Sequence, residues 1–197
     1  MSSPLKIFKL LLSDEKFNDM LSSVVTSLLQ SCEESPLKGI APDLLVFGPI
    51  TGDTSKFGLT ILQIWHENFE EDRYEILEGI GDDCRKKRIK PVATFIAGEA
   101  WMKEMTEEES LERNGRAVST YEDKTEVAFL AGMTIDGRTN MAIMNITRTE
   151  SNNICLGVPH FMSYKVGEKR TESDLLRAFY RGYFKNLEPM DLRLFFS

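Results

Sequence analysis

His66 and Glu70 stand one helical turn apart in the stretch WHENFE, Trp65 to Glu70. In the H-E-x-x-H pattern two imidazoles at that spacing grip zinc, and the glutamate between them activates water. Here Glu70 replaces the second imidazole, and Glu67 keeps the position of the base. Carboxylates also bind metals, so His66 and Glu70 are candidates for two ligands. The others would come from elsewhere. His160 is the only other histidine in the chain, and Glu99 is a carboxylate inside an apolar run. Together these residues define the chemistry of a metal-assisted hydrolase.

Their setting points the other way. Glu67, Glu70, Glu71 and Asp72 crowd the start of an expected helix, and Arg85, Lys86, Lys87 and Arg88 crowd its end. Charges graded in that order complement a helix macrodipole, whose positive end disfavours a cation. A solvated helix start is therefore the favoured reading, with no metal and no other cofactor expected. The same logic explains the basic run RKKRIK, Arg85 to Lys90, which has no interleaved aromatic residue for nucleic acid. GPITGDTSK, Gly48 to Lys56, lacks the G-K-[ST] ending of a phosphate loop, and G-x-S-x-G is absent. Cys155 precedes His160 by five residues, a spacing that establishes no pair. Strand alternation places Phe95, Ala97, Glu99, Trp101 and Lys103 on one face. Desolvation there would raise the pKa of Glu99 and suit it to acid–base work. A structural salt bridge with Arg148, Arg138 or Lys103 is the favoured alternative.

A case for a partner lies near the C-terminus. Phe179, Tyr180, Tyr183 and Phe184 form a helical aromatic stripe, and Phe195 and Phe196 follow in an apolar tail. Aromatic residues are enriched in interface cores. Packing onto the protein's own sheet competes with a two-fold homodimer through part of this surface.

These residues need elements to position them. Ser13-Asp14-Glu15 predicts a helix start, with a capping serine and acids in the first turn. Phe17, Met20, Leu21, Val24, Val25, Leu28 and Leu29 supply one apolar side, and Ser35-Pro36 ends it. A turn of helix begun by Ser3-Pro4 is expected before it. Asp43–Phe47 and Phe57–Trp65 read as a strand pair. A second helix is expected from about Asn68 to Arg88, although Gly79 and Gly81 weaken it. Val92–Trp101 is an apolar strand, and a charged loop follows from Glu104 to Arg116. Glu126–Ile135 and Thr139–Arg148 flank Asp136-Gly137, a hairpin signal. Ile154–Val158 reads as a short strand. Thr171-Glu172-Ser173-Asp174 resembles a capping box before the aromatic helix. FIAGEA at Phe95 echoes FLAGMT at Phe129. Either a duplication or two buried strands of similar composition explains that echo.

The order is helix, two strands, helix, three or four strands, helix. It predicts one α+β domain over residues 1–197, with a mainly antiparallel central sheet of five to six strands covered by three helices. The chain is long enough for a real core, and its 42% hydrophobic and 28% charged residues suit a folded soluble protein. No apolar run approaches the roughly 20 residues that span a bilayer, and the N-terminal patch, broken by Lys9, does not read as a signal peptide. Three widely spaced cysteines, Cys32, Cys84 and Cys155, suggest neither a disulfide framework nor a zinc cluster and fit a reducing cytoplasm. The formal charge of −7 argues against general nucleic-acid binding.

AGEAWM, Ala97 to Met102, then a charged loop and DKTEVAFLAGMTIDGRTNMAIMNITR, resemble uncharacterised bacterial and phage proteins. These share an EAW strand, a loop and a hairpin opening near D-x-x-E, here Asp123 to Glu126. The resemblance covers about residues 68 to 158 and implies an α+β fold without an activity; the loop departs from the pattern in having neither proline nor histidine. The expectation is a cytoplasmic protein that acts through protein contacts, as a homodimer and without catalysis. The metal-assisted hydrolase of His66, Glu70 and Glu99 is the alternative.

Overall fold

The structure is a computed structural model, and it describes residues 12–50, 53–64, 69–106, 108–109, 118–164 and 171–185. In chain order the elements are α1 (Asp14–Glu34), β1 (Asp43–Ile50), β2 (Asp53–Gln63), α2 (Phe69–Lys86) and β3 (Ala93–Met102). A 3-10 turn (Val118–Thr120) leads to β4 (Thr125–Thr134), β5 (Thr139–Arg148), β6 (Ile154–Leu156), β7 (His160–Tyr164) and α3 (Thr171–Phe184).

The strands form one seven-stranded sheet in the order β2-β1-β3-β4-β5, with β6 and β7 both on the outer edge of β5. Every pairing is antiparallel. The fold is thus α+β. Helix α1 lies over β4, β5 and β6 on one face, and α2 and α3 pack together on the other. Each face has its own core. Phe17, Leu21 and Val25, four residues apart on α1, meet Phe95, Leu130 and Met144. Leu77 of α2 and Leu176, Phe179 and Tyr180 of α3 meet Leu44, Ile96 and Met133.

Local signals account for most boundaries. The Ser13 hydroxyl caps α1 by accepting the Lys16 N–H at 3.3 Å. Its far end closes with the Ser35 N–H on Ser31 O, one residue before Pro36. The β4–β5 turn closes by the Thr134 N–H on Arg138 O and the Gly137 N–H on Thr134 O, both 2.9 Å. Gly137, at φ 86°, takes the left-handed position that glycine adopts at little cost. In α2, Gly81 has a tertiary role: a Cβ there would strike the Phe179 carbonyl, and one on Gly182 would strike the Glu78 carbonyl. The two helix backbones therefore touch through glycine, and close packing offsets the weak helix propensity.

Two expectations need revision. β2 begins at Asp53, because residues that read as turn formers pair back onto β1 through an irregularity at Pro49 and Ile50. The strand expected to reach Val158 stops at Leu156, and β7 follows Pro159. β6 and β7 run along the same edge of β5, with a one-residue slip in register between Ile146↔Leu156 and Ile143↔His160. Among the described residues, no helix is long and apolar enough to cross a membrane.

Candidate functional site

Strand β3 outruns its neighbour. Its pairing with β1 stops at Asp43↔Ala97, whereas β4 accompanies it as far as Met102↔Thr125. Among the described residues, no strand pairs with Gly98–Met102 on the β1 side. A cavity of about 630 Å³ opens at this notch. Ile96, Phe129 and Leu175 line it with apolar surface, Arg73 of α2 supplies a cation, and Glu99 and Glu126 supply carboxylates.

Glu99 continues the face of Phe95 and Ala97 towards the α1 side of the sheet. One of its oxygens accepts the Ile40 N–H at 2.6 Å. The other lies 3.4 Å from Arg148 Nη2. Arg148 also pairs with Glu126, its Nε donating at 2.9 Å, and its Nη1 donates to Lys38 O at 2.8 Å. This guanidinium lowers the pKa of Glu126, and the bond to Glu126 raises that of Arg148. The salt bridge anticipated for Glu99 is present, with Arg148 as the partner. The network ties the chain after α1 to β3, β4 and β5.

Asp43 opens β1 on this same face, beside Ala97. Its Oδ1 is buried and meets no hydrogen-bond donor among the described residues. Burial pushes its pKa up. Arg73 lies 5.4 Å from the Tyr74 ring and forms no ion pair with a carboxylate among the described residues. Trp101 is 44% exposed at the rim, with Lys124 Nζ 4.6 Å from its ring centroid.

The proposed metal ligands fare differently. His66 lies outside the described residues, and Glu70 is in α2 with its side chain outside them. His160 is exposed on β7, opposite Ile143. Glu99 is opposite Ala128, which is opposite Met144. The two are therefore three strands apart, roughly 14 Å at the usual strand spacing. They also face opposite sides, since His160 is aligned with Ile143 and Met162 of the α2–α3 core. His160 and Glu99 do not share a site. Among the described residues, no group of three His, Cys, Asp or Glu side chains could hold a metal ion.

Other sequence candidates are occupied structurally. Asp82 pairs with Arg85 at 2.5 Å and with Lys86 at 2.6 Å, so two cations of the basic run serve the end of α2. Burial raises the pKa of Cys84 and Cys32, away from the thiolate that a nucleophile needs. The aromatic stripe of α3 turns inward. Phe179, Tyr180 and Phe184 are 0%, 2% and 3% exposed, and Tyr183 is partly buried. The Tyr180 hydroxyl donates to Met133 O at 3.2 Å, and burial raises its pKa. The dimer contact expected of these rings therefore finds them already in the protein's own core, where their apolar area is removed from water by the sheet and α2. Phe195 and Phe196 lie outside the described residues.

Another surface goes unmarked in the sequence pattern. β2 is an outermost strand of the sheet. Leu59 and Ile61 are 47% and 57% exposed on its α1-side face, opposite Phe47 and Leu45. Its six residues Phe57–Leu62, FGLTIL, carry neither charge nor proline. That lack of charge is legible in the sequence; the strand's position at the edge is not.

In comparison with known proteins, no family model, no curated protein and no solved structure matches the chain significantly.

Proposed function

We propose that this protein acts through protein contacts and does so as a homodimer, joined along the outer edge of β2. The observation that carries the proposal is the contrast between the two sheet edges. On one side, Pro159 and the register slip between β6 and β7 interrupt the edge, a common way to discourage strand addition. On the other, β2 offers eleven residues whose outer edge pairs with no strand among the described residues, with Leu59 and Ile61 exposed. Two copies of β2 related by a two-fold axis run antiparallel and satisfy each other's N–H and C=O groups. On that face Leu59 and Ile61 of each copy also gain cross-strand neighbours from the other, worth about 0.2–1 kcal/mol a pair. The pairing joins two sheets into one.

Size-exclusion chromatography with light scattering tests this on the full chain. The expected mass is twice the 22.5 kDa of one chain. Leu59→Lys with Ile61→Lys should yield a folded monomer, because both side chains are already half in water. A wild-type monomer at high micromolar concentration refutes the proposal, and so does a dimer that survives both lysines.

A further inference from the structure

We propose that the cavity at the β3 notch binds a small zwitterion with an apolar body, namely an apolar α-amino acid or a short peptide of such residues. The charges lining the cavity are divided. Arg73 contributes a cation that no carboxylate among the described residues neutralises. Elsewhere on the lining, Glu99 and Glu126 share the single guanidinium of Arg148, so the group carries one negative charge in excess. The lining is thus dipolar in arrangement, with Arg73 as one pole and the two glutamates as the other, while Lys124 at the Trp101 rim has its ammonium on the Ser119 carbonyl. A carboxylate placed at Arg73 and an ammonium placed at the two glutamates satisfy both ends. A simple anion or a simple cation satisfies one and leaves the other repelling or unpaired.

The remaining lining suits the body of such a ligand. Ile96, Phe129 and Leu175 give apolar contact, and Ala100 adds a small side chain to the lining. Beyond Ala97 the β1-side edge of β3 has no partner strand among the described residues, so backbone groups are placed to bond a peptide unit as well. A volume of about 630 Å³ lies within the range of pockets that take small molecules. Strand β1 lies between this site and the β2 edge assigned to the dimer, and either proposal stands if the other fails.

Isothermal titration calorimetry and thermal melts of the full chain test it, with leucine, phenylalanine and the dipeptide Leu-Leu as probes. Binding by the free amino acids, by the dipeptide alone, or by both identifies the source. N-acetyl-leucine and leucinamide each lack one charge and should bind at least about tenfold more weakly, the size of one lost charged hydrogen bond. Arg73→Gln should weaken the parent ligand and leave leucinamide unaffected. Glu99→Gln should do the same with N-acetyl-leucine as the unaffected probe; its amide oxygen can still accept the Ile40 N–H. If Glu99→Gln does not fold, Arg73→Gln and the two blocked ligands still decide. No heat and no melting shift with any probe at millimolar concentration overturns the proposal. So do blocked ligands that bind as well as the parent.

Discussion

Replacing Gly132 with alanine should destabilise the protein, and the structure gives the size of the effect. Gly132 is on β4 directly opposite Phe95 of β3. A Cβ built on it falls 2.5 Å from Phe95 Cε1, 2.6 Å from Cδ1 and 3.2 Å from Phe17 Cζ. Real Cβ atoms do not approach ring carbons so closely, so the ring must move. It has little room. Phe95 is fully buried, with its centroid 5.6 Å from that of Phe17 and 5.4 Å from that of Phe47. Overfilling such a core costs about 1–3 kcal/mol. The reduced entropy of the unfolded chain returns about 0.4–1 kcal/mol. The two ranges leave a net loss centred on about 1.3 kcal/mol, a fall in melting temperature of about 3–5 °C for a chain of this length. Gly98→Ala is the internal control. Its Cβ would lie 3.2 Å from the Phe129 ring, which is only partly buried and can shift, so its cost should be smaller. Denaturant titrations of both variants, and of Gly132→Ala combined with Phe95→Leu, measure the effect. The double variant should be more stable than the sum of the two single losses, because the smaller side chain makes room for the methyl group. A Gly132→Ala protein as stable as the parent refutes the reasoning.

Asp43→Asn should raise the melting temperature at neutral pH. Burial lifts the Asp43 pKa above its unfolded value, so the fold prefers the protonated form. That preference contributes stability below the ordinary Asp range, about pH 4, and the contribution is lost as pH rises through the folded pKa. Melts at both ends of that window should show the advantage of the asparagine variant at pH 7 and its disappearance in acid; a variant weaker at neutral pH would reveal an unrecognised cation beside Asp43. Arg138→Ala should cost about 2 kcal/mol in denaturant titrations, because Arg138 donates to Leu12 O at 2.5 Å and pairs with Asp14 and with Asp136, fastening the start of α1 to the β4–β5 turn. An unchanged midpoint would show that α1 is held by its apolar face alone.

Much of the fold is legible where a signal is local. Ser13 with two acids marks α1, Asp136-Gly137 marks the hairpin, and the acid-to-base gradient marks α2. Each fixes a few neighbouring backbone groups and needs no knowledge of the rest of the chain. β7 escapes because HFMSY has no clean alternation and follows a proline; it is a strand because β5 supplies its partners. The first residues of β2 escape for the same reason, being strand only because β1 lies beside them. Glu99 stands out as a carboxylate in an apolar strand, and Arg148 is among its expected partners. The cavity beside it is not legible. It exists because β1 begins opposite Ala97 and not opposite Met102, which is a matter of register between strands far apart in sequence.

The FIAGEA and FLAGMT echo shows what register adds to a pattern. β3 and β4 pair so that Phe95 is opposite Gly132 and Phe129 is opposite Gly98. Residues directly opposite share a face, and an odd step along a strand changes face. One ring therefore joins the α1 core and the other the α2–α3 core, each above the glycine of the neighbouring strand. A phenylalanine three residues before a glycine is one packing solution, applied once to each side of the sheet. The same steric need, a large ring requiring a bare Cα beside it, is sufficient to produce the repeated sequence. At the notch, β3 runs past its Phe95-to-Gly98 unit to Glu99 and β4 enters its own after Glu126, so the apolar interior gives way there to a charged lining.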